Sequence, residues 1–155
     1  MLRIVKQHPF LSALVLCVIL GPVLIGVSVR AWRKTILKGN ESAATRTLDV
    51  IRLLEADYQI GHKGQYGTFD QLIKDGALDD RYKGGAPGVN GYVFTLKIAP
   101  KSTNAQGFYS VNADPVVSEG SGATGRRHFY LDPDVDGIRV NEETGATASD
   151  PKLAE

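Results

Sequence analysis

Apolar residues run without a charge from Phe10 to Val29. Those 20 residues, at about 1.5 Å per helical residue, match the roughly 30 Å hydrocarbon core of a bilayer. A helix apolar on every face for this length is uncommon in a small soluble domain. The pattern therefore predicts a transmembrane helix over residues 9–30. Beyond it the pattern narrows to a stripe. Ala44, Leu48, Ile51, Leu54 and Tyr58 recur at intervals of four, three, three and four, which places them on one helical face. Glu41, Arg46, Asp49, Arg52 and Glu55 fill much of the remainder and read as its polar side. Gly61, His62, Lys63 and Gly64 stop the helix, with glycine available for a left-handed cap. Gly39-Asn40 reads as a break between the two halves. The expected element is one long helix over about residues 10 to 60, half in lipid and half packed on a domain.

A shorter helix follows. Thr68 is its N-cap, Phe69, Leu72 and Ile73 face inward, and Asp75-Gly76 ends it. The stretch 84–91 holds Gly84, Gly85, Pro87, Gly88, Asn90 and Gly91 and reads as turns. The period then changes to two. Tyr92–Ile98 and Phe108–Ala113 are strands by composition. Ser118–Gly125 is a flexible loop. His128–Leu131 and Ile138–Val140 are short strands joined around Asp132–Gly137. Helices first and consecutive strands afterwards predict an α+β fold: a long N-terminal helix packed on a small antiparallel β-sheet head. The expected organisation is a short cytoplasmic N-terminus (1–8), a transmembrane helix (9–30), its continuation into the head (31–60), a globular α+β head (61–145) and a flexible tail (146–155).

Composition narrows the functional classes. Among 155 residues the formal net charge is +1, so no basic field points to nucleic acid. The single cysteine, Cys17, lies inside the apolar run, which excludes a disulfide scaffold and a thiolate metal cluster. Arg3 and Lys6 precede the run; Arg30, Trp32, Arg33 and Lys34 follow it. A long apolar run with interfacial tryptophan and snorkelling cations fits an uncleaved anchor better than a signal peptide. Positive charge on both sides leaves the orientation open. Gly21-Pro22 predicts a bend in mid-span.

A resemblance adds to this reading. Its residues are Asn40-Glu41-Ser42-Ala43-Ala44, the apolar spacing down to Glu55-Ala56-Asp57-Tyr58, and Gln65-Tyr66-Gly67-Thr68 leading into Phe69-Asp70-Gln71-Leu72. Gly91–Thr95 and Arg127–Asp132 complete it. In order and spacing, over about residues 9 to 140, the chain resembles type IV pilins and type II secretion pseudopilins. The resemblance implies a half-embedded N-terminal helix and a head with an antiparallel sheet. It also implies a single-pass protein of the inner membrane, N-terminus inside, with the head exported to the periplasm or cell surface. The family's leader cleavage site has a glycine, an aromatic residue and then a glutamate. Here Phe10 fits the aromatic, Pro9 stands in place of the glycine and Leu14 in place of the glutamate. The expectation is an N-terminus that is retained.

The sharpest local pattern is Asp132, Asp134, Asp136 and Gly137, followed by Glu143. It fits the Asp-x-Asp-x-Asp-Gly-x5-Glu form of a calcium loop, in which alternate carboxylates converge on a hard cation. The expectation is no cofactor; calcium, with Asp132, Asp134, Asp136 and Glu143 as ligands, is the one candidate. The alternative is a hairpin turn of Asp and Gly, which the strand-like flanks favour. His8, His62 and His128 have no serine or cysteine at a recognisable catalytic spacing. The glycines of 84–91 lack the lysine and the strand–loop–helix setting of a phosphate loop. Tyr58, Tyr66, Phe69, Tyr92, Phe94, Phe108, Tyr109, Phe129 and Tyr130 are the expected core aromatics. The expected function is a non-enzymatic, membrane-anchored, pilin-like structural protein: a divergent or minor pseudopilin of a secretion or pilus system. The alternative is a pilin-like fold serving as an uncleaved accessory subunit of another membrane complex. Its partners are membrane lipid and other membrane or pilin-like subunits, with no nucleic acid and no small-molecule substrate.

Overall fold

The structure, a computed structural model, describes the backbone of residues 9–154 and the side chains of residues 18 and 28–154. The expected segment 1–8 and the side chains of most of the apolar run lie outside the described residues. Among the described residues no helix is long and apolar enough to cross a membrane. The chain divides into two compact units, Met1–Ile36 and Leu37–Glu155, so the division falls six residues later than the expected boundary at residue 30.

Helix α1 spans Pro9–Gly61. The predicted break at Gly39-Asn40 does not occur. Asn40 stays helical and its side-chain amide donates to the Thr124 carbonyl at 2.7 Å. A tertiary hydrogen bond thus holds in the helix a residue that would by itself favour a turn. On the head side α1 buries Ala44, Leu48 and Ile51, the latter two completely. Leu54 and Tyr58 are half-buried at the edge of this face. The stripe contains two residues that the sequence places on the polar side: Glu41 and Glu55 are both buried. Glu41, Ala44, Leu48, Ile51 and Glu55 follow one another at three, four, three and four, a continuous helical face with a carboxylate at each end. At the C-terminus the left-handed position is taken by Lys63 (φ 58°) ahead of Gly64 (φ 85°). The Gly64 N–H reaches back to the Gln59 carbonyl at 2.9 Å, the six-residue return that satisfies an end carbonyl.

Helix α2 is Phe69–Lys74. Thr68 and Gln71 form a reciprocal capping box, and Asp75 caps the other end. Phe69 and Leu72 are buried and Ile73 is half-buried. A 3-10 turn over Asp80–Tyr82 follows, which the sequence reading passed over. Its Tyr82 is buried against Phe69 and Phe94, with ring centroids 6.2 and 5.7 Å away. Its hydroxyl lies 3.2 Å from the Thr47 hydroxyl on α1.

The sheet is a five-stranded antiparallel meander in sequence order. Its strands are β1 (Gly88–Val89), β2 (Tyr92–Ala99), β3 (Phe108–Pro115), β4 (His128–Leu131) and β5 (Arg139–Asn141). β1 falls in the stretch read as turns only. It joins β2 through Asn90 (φ 51°) and Gly91 (φ 77°), the paired positive φ values that suit Asn-Gly hairpins. Gly91 is also required sterically, since a Cβ there would lie 2.8 Å from the Asn40 amide nitrogen. Tyr92 and Phe94, then Tyr109, Val111 and Ala113, then Phe129 and Leu131 alternate inward from β2, β3 and β4. They form with α1 a single core. Tyr66, Tyr58, Phe108 and Tyr130 are only half-buried.

The expected flexible tail is a correction. Ala146 is buried, and its carbonyl accepts from the Asn112 side chain on the outer face of β3 at 2.8 Å. The Val140 N–H donates to the Pro151 carbonyl, and the Leu153 N–H to the Ile138 carbonyl at 2.8 Å. The bridge Arg139↔Lys152 extends the sheet past β5. Asp150 closes a local turn by accepting from the Thr147 amide and hydroxyl. A small polar segment docks because β5 would otherwise leave an unpaired strand edge.

Candidate functional site

The candidate residues of the sequence are the acidic run after β4. Asp132 is buried, and every hydrogen bond it makes is internal. Its Oδ1 accepts from the amides of Asp134 and Val135, each at 2.8 Å. Its Oδ2 accepts from the Tyr130 hydroxyl at 2.7 Å. This is the local geometry by which aspartate closes its own turn. Burial, with Asp132 second, pushes the Tyr130 phenol up to about 12. Asp136 is exposed and pairs with Lys152 at 2.8 Å; that lysine holds its carboxyl below the usual range. Gly137 takes φ 77°. Glu143 is not brought to this turn. It lines, with Glu119, Arg126 and Glu142, an open polar cleft of about 450 Å³ beside the β3–β4 loop. Among the described residues no three of His, Cys, Asp and Glu are grouped as a metal ion needs.

Two outcomes follow for calcium. With Asp132 and Asp136 engaged in this way, millimolar calcium should leave the melting temperature of the full chain unchanged. Asp132→Ala, by contrast, strips three part-buried donors of their acceptor and should cost about 1 kcal/mol or more. A calcium-dependent rise in melting temperature that Asp134→Asn abolishes would restore the calcium reading.

The histidines separate. His62 stacks on Tyr58 with centroids 3.7 Å apart, and its Nε2 lies 3.6 Å from Asp75. His128 Nδ1 lies 2.6 Å from Asp114 across the outer face of β3 and β4. Among the described residues neither ring hydrogen-bonds a serine or cysteine side chain.

The residues that the sequence reading missed are the two buried glutamates of α1. Glu41 grips the start of β4. Its Oε1 accepts from the Arg126 amide at 3.1 Å, and its Oε2 from Arg127 Nε and Nη2 at 2.9 and 2.8 Å. The Arg127 guanidinium also sits 5.6 Å from the Phe129 ring centroid. Glu55 grips the loop before α2. Its Oε2 accepts from the Gly67 amide at 2.9 Å. Its Oε1 is buried with no hydrogen-bond partner among the described residues. Burial pushes this carboxyl up from 4.5 to about 7, against the opposing pull of the Gly67 hydrogen bond. The signal that finds both is the unbroken three-four-three-four spacing with Ala44, Leu48 and Ile51.

The arrangement is thus chemically a docking arrangement. Two carboxylates of one helix hold the start of β4 and the loop before α2, while Asp132 closes its own turn and Asp136 pairs with Lys152. Comparison with family models, with curated proteins and with solved structures returns no match.

Proposed function

We propose that the chain is a non-enzymatic, membrane-anchored structural protein of the pilin-like kind, a divergent or minor pseudopilin. The observation that carries this reading is α1. One helical element, Pro9–Gly61, contains an uncharged apolar run at its start and a buried stripe against an antiparallel meander at its end. A helix of that composition serves as both stalk and core element. Lipid takes the apolar run as partner, and the head is carried on the same helix. The inner membrane, with the N-terminus inside and the head exported, is the location this reading assigns.

A second reading is favoured by one observation. Pro9 and Leu14 stand where pilin-like proteins that enter filaments have glycine and glutamate. An uncleaved accessory subunit of another membrane complex needs neither. One experiment serves both readings. Membranes from cells making the full chain are washed with alkaline carbonate, and intact spheroplasts are treated with protease. Retention in the membrane with digestion of residues 40–155 is the expected result. Release by carbonate, or full protection of the head, overturns the anchored reading. Crosslinking in the same membranes separates the two: ladders of like pilin subunits favour the first, a discrete heteromeric complex the second.

A further inference from the structure

Glu55 has no part in the proposed anchoring, yet it is fully buried with one oxygen unpartnered. Its bonded oxygen holds Gly67, the last residue of the loop between α1 and the Thr68 cap of α2. The same loop is held at its other end. His62 stacks on Tyr58, its Nδ1 lies 2.9 Å from the Tyr58 carbonyl, and its Nε2 lies 3.6 Å from Asp75, the C-cap of α2. Between these points Gln59 bonds the Tyr66 hydroxyl at 3.0 Å, Gln65 bonds both the amide and the carbonyl of Lys101, and the Lys101 ammonium donates to the Lys63 carbonyl at 3.2 Å. Gly67 is closely packed: a Cβ would lie 3.2 Å from the side chains of both Tyr58 and Leu72, which would have to shift to admit it.

We propose that the loop His62–Gly67 is an acid-closed flap, latched by neutral Glu55 through its hydrogen bond to Gly67, which opens as pH rises. The groups facing Glu55 do not oppose this. Tyr58 lies on its own helix, Tyr66 on the loop and Tyr109 on β3; all three are pushed up, chiefly by burial. Asp132 faces Tyr109 and Asp134 faces Tyr66, and both add negative field. Arg52, a cation near Tyr109, is already paired with Asp49 at 2.8 Å, and the Lys101 ammonium is engaged by the Lys63 carbonyl at 3.2 Å. Loss of the Glu55 proton therefore leaves a buried charge with one hydrogen bond and, among the described residues, no counter-ion in contact. Opening the loop hydrates it. A carboxyl raised in the closed state takes up its proton on closing. Closure is thus strongest at acid pH and weakens as pH rises from 4.5 to about 7, with no further loss above.

Hydrogen exchange of the full chain in detergent micelles at pH 5.0 and 7.5, corrected for the intrinsic pH dependence of amide exchange, tests this. Protection of the 62–67 amides should fall by about fifty-fold between the two values, and should stay below that of the β2–β3 amides at both. Glu55→Gln keeps the acceptor for Gly67 without the charge, and should remove most of the pH dependence. Should that variant fail to fold, the wild-type profile at intermediate pH decides: loop protection should fall between pH 4.5 and about 7 and level off above, while that of the β2–β3 amides does not follow it. The flap is overturned by pH-independent loop protection, by loop protection equal to that of the sheet at both values, or by Glu55→Gln keeping the wild-type pH dependence.

Discussion

Ile51→Asp abolishes the folded head. Ile51 is completely buried at the centre of the α1 stripe, between Leu48 and Glu55. Aspartate there deletes a packed side chain, a loss of about 2–5 kcal/mol even for truncation to alanine. It also buries a carboxyl with no donor reserved for it, which adds a penalty of at least about 1–3 kcal/mol. Together these approach the whole stability of a typical domain, about 5–15 kcal/mol. Thermal melting of the full chain in detergent, followed by near-ultraviolet circular dichroism, should show no cooperative transition. Ile51→Val, which removes one methylene, should cost only about 1 kcal/mol. Val50→Asp, on the neighbouring position that is 47% exposed, should change stability by less than about 0.5 kcal/mol. An unchanged melting temperature for Ile51→Asp would show that α1 docks through another face.

Arg127→Ala is expected to be the second most damaging change. The Arg127 side chain is 33% exposed and Glu41 only 8%, so removing the guanidinium strands a carboxylate that is almost fully desolvated. The Arg126 amide at 3.1 Å remains as its single donor. Breaking a buried pair from one side costs about 3 kcal/mol or more, whereas replacing both partners is far milder. Glu41→Gln combined with Arg127→Ala should therefore be more stable than Arg127→Ala alone. The signature is a double-mutant cycle in chemical denaturation with a coupling of at least about 1 kcal/mol. Additive losses would mean that the two side chains do not act as a pair.

The elements that local chemistry governs were legible. The Thr68 capping box, the Asp75-Gly76 stop and the four longer strands follow from side-chain types and spacing within a few residues. So did Ala44, Leu48 and Ile51 as the docking face, because a three-to-four repeat admits no other surface. The acidic turn was legible only as a pair of alternatives. Its residues satisfy the same pattern whether they converge on a cation or close on their own amides. β1 was missed because two residues that pair only through Gly88 and Val89 carry no periodicity of their own.

What the sequence determined by itself is the α+β division, the long first helix, the order of the strands and the face on which the helix packs. Each rests on a repeat of 3.6 or 2 or on a cap, and such signals are complete within one element. What only the tertiary structure decided is which polar residues are inside. Glu41 and Glu55 read as surface residues until Arg127 and Gly67, 86 and 12 residues away, are brought against them. Asn40 read as a breaker until Thr124 arrived to take its hydrogen bond. The tail read as loose until the unpaired edge of β5 was there to receive it. A polar group is buried only when a partner meets it, and the partner's identity depends on long-range closure of the chain.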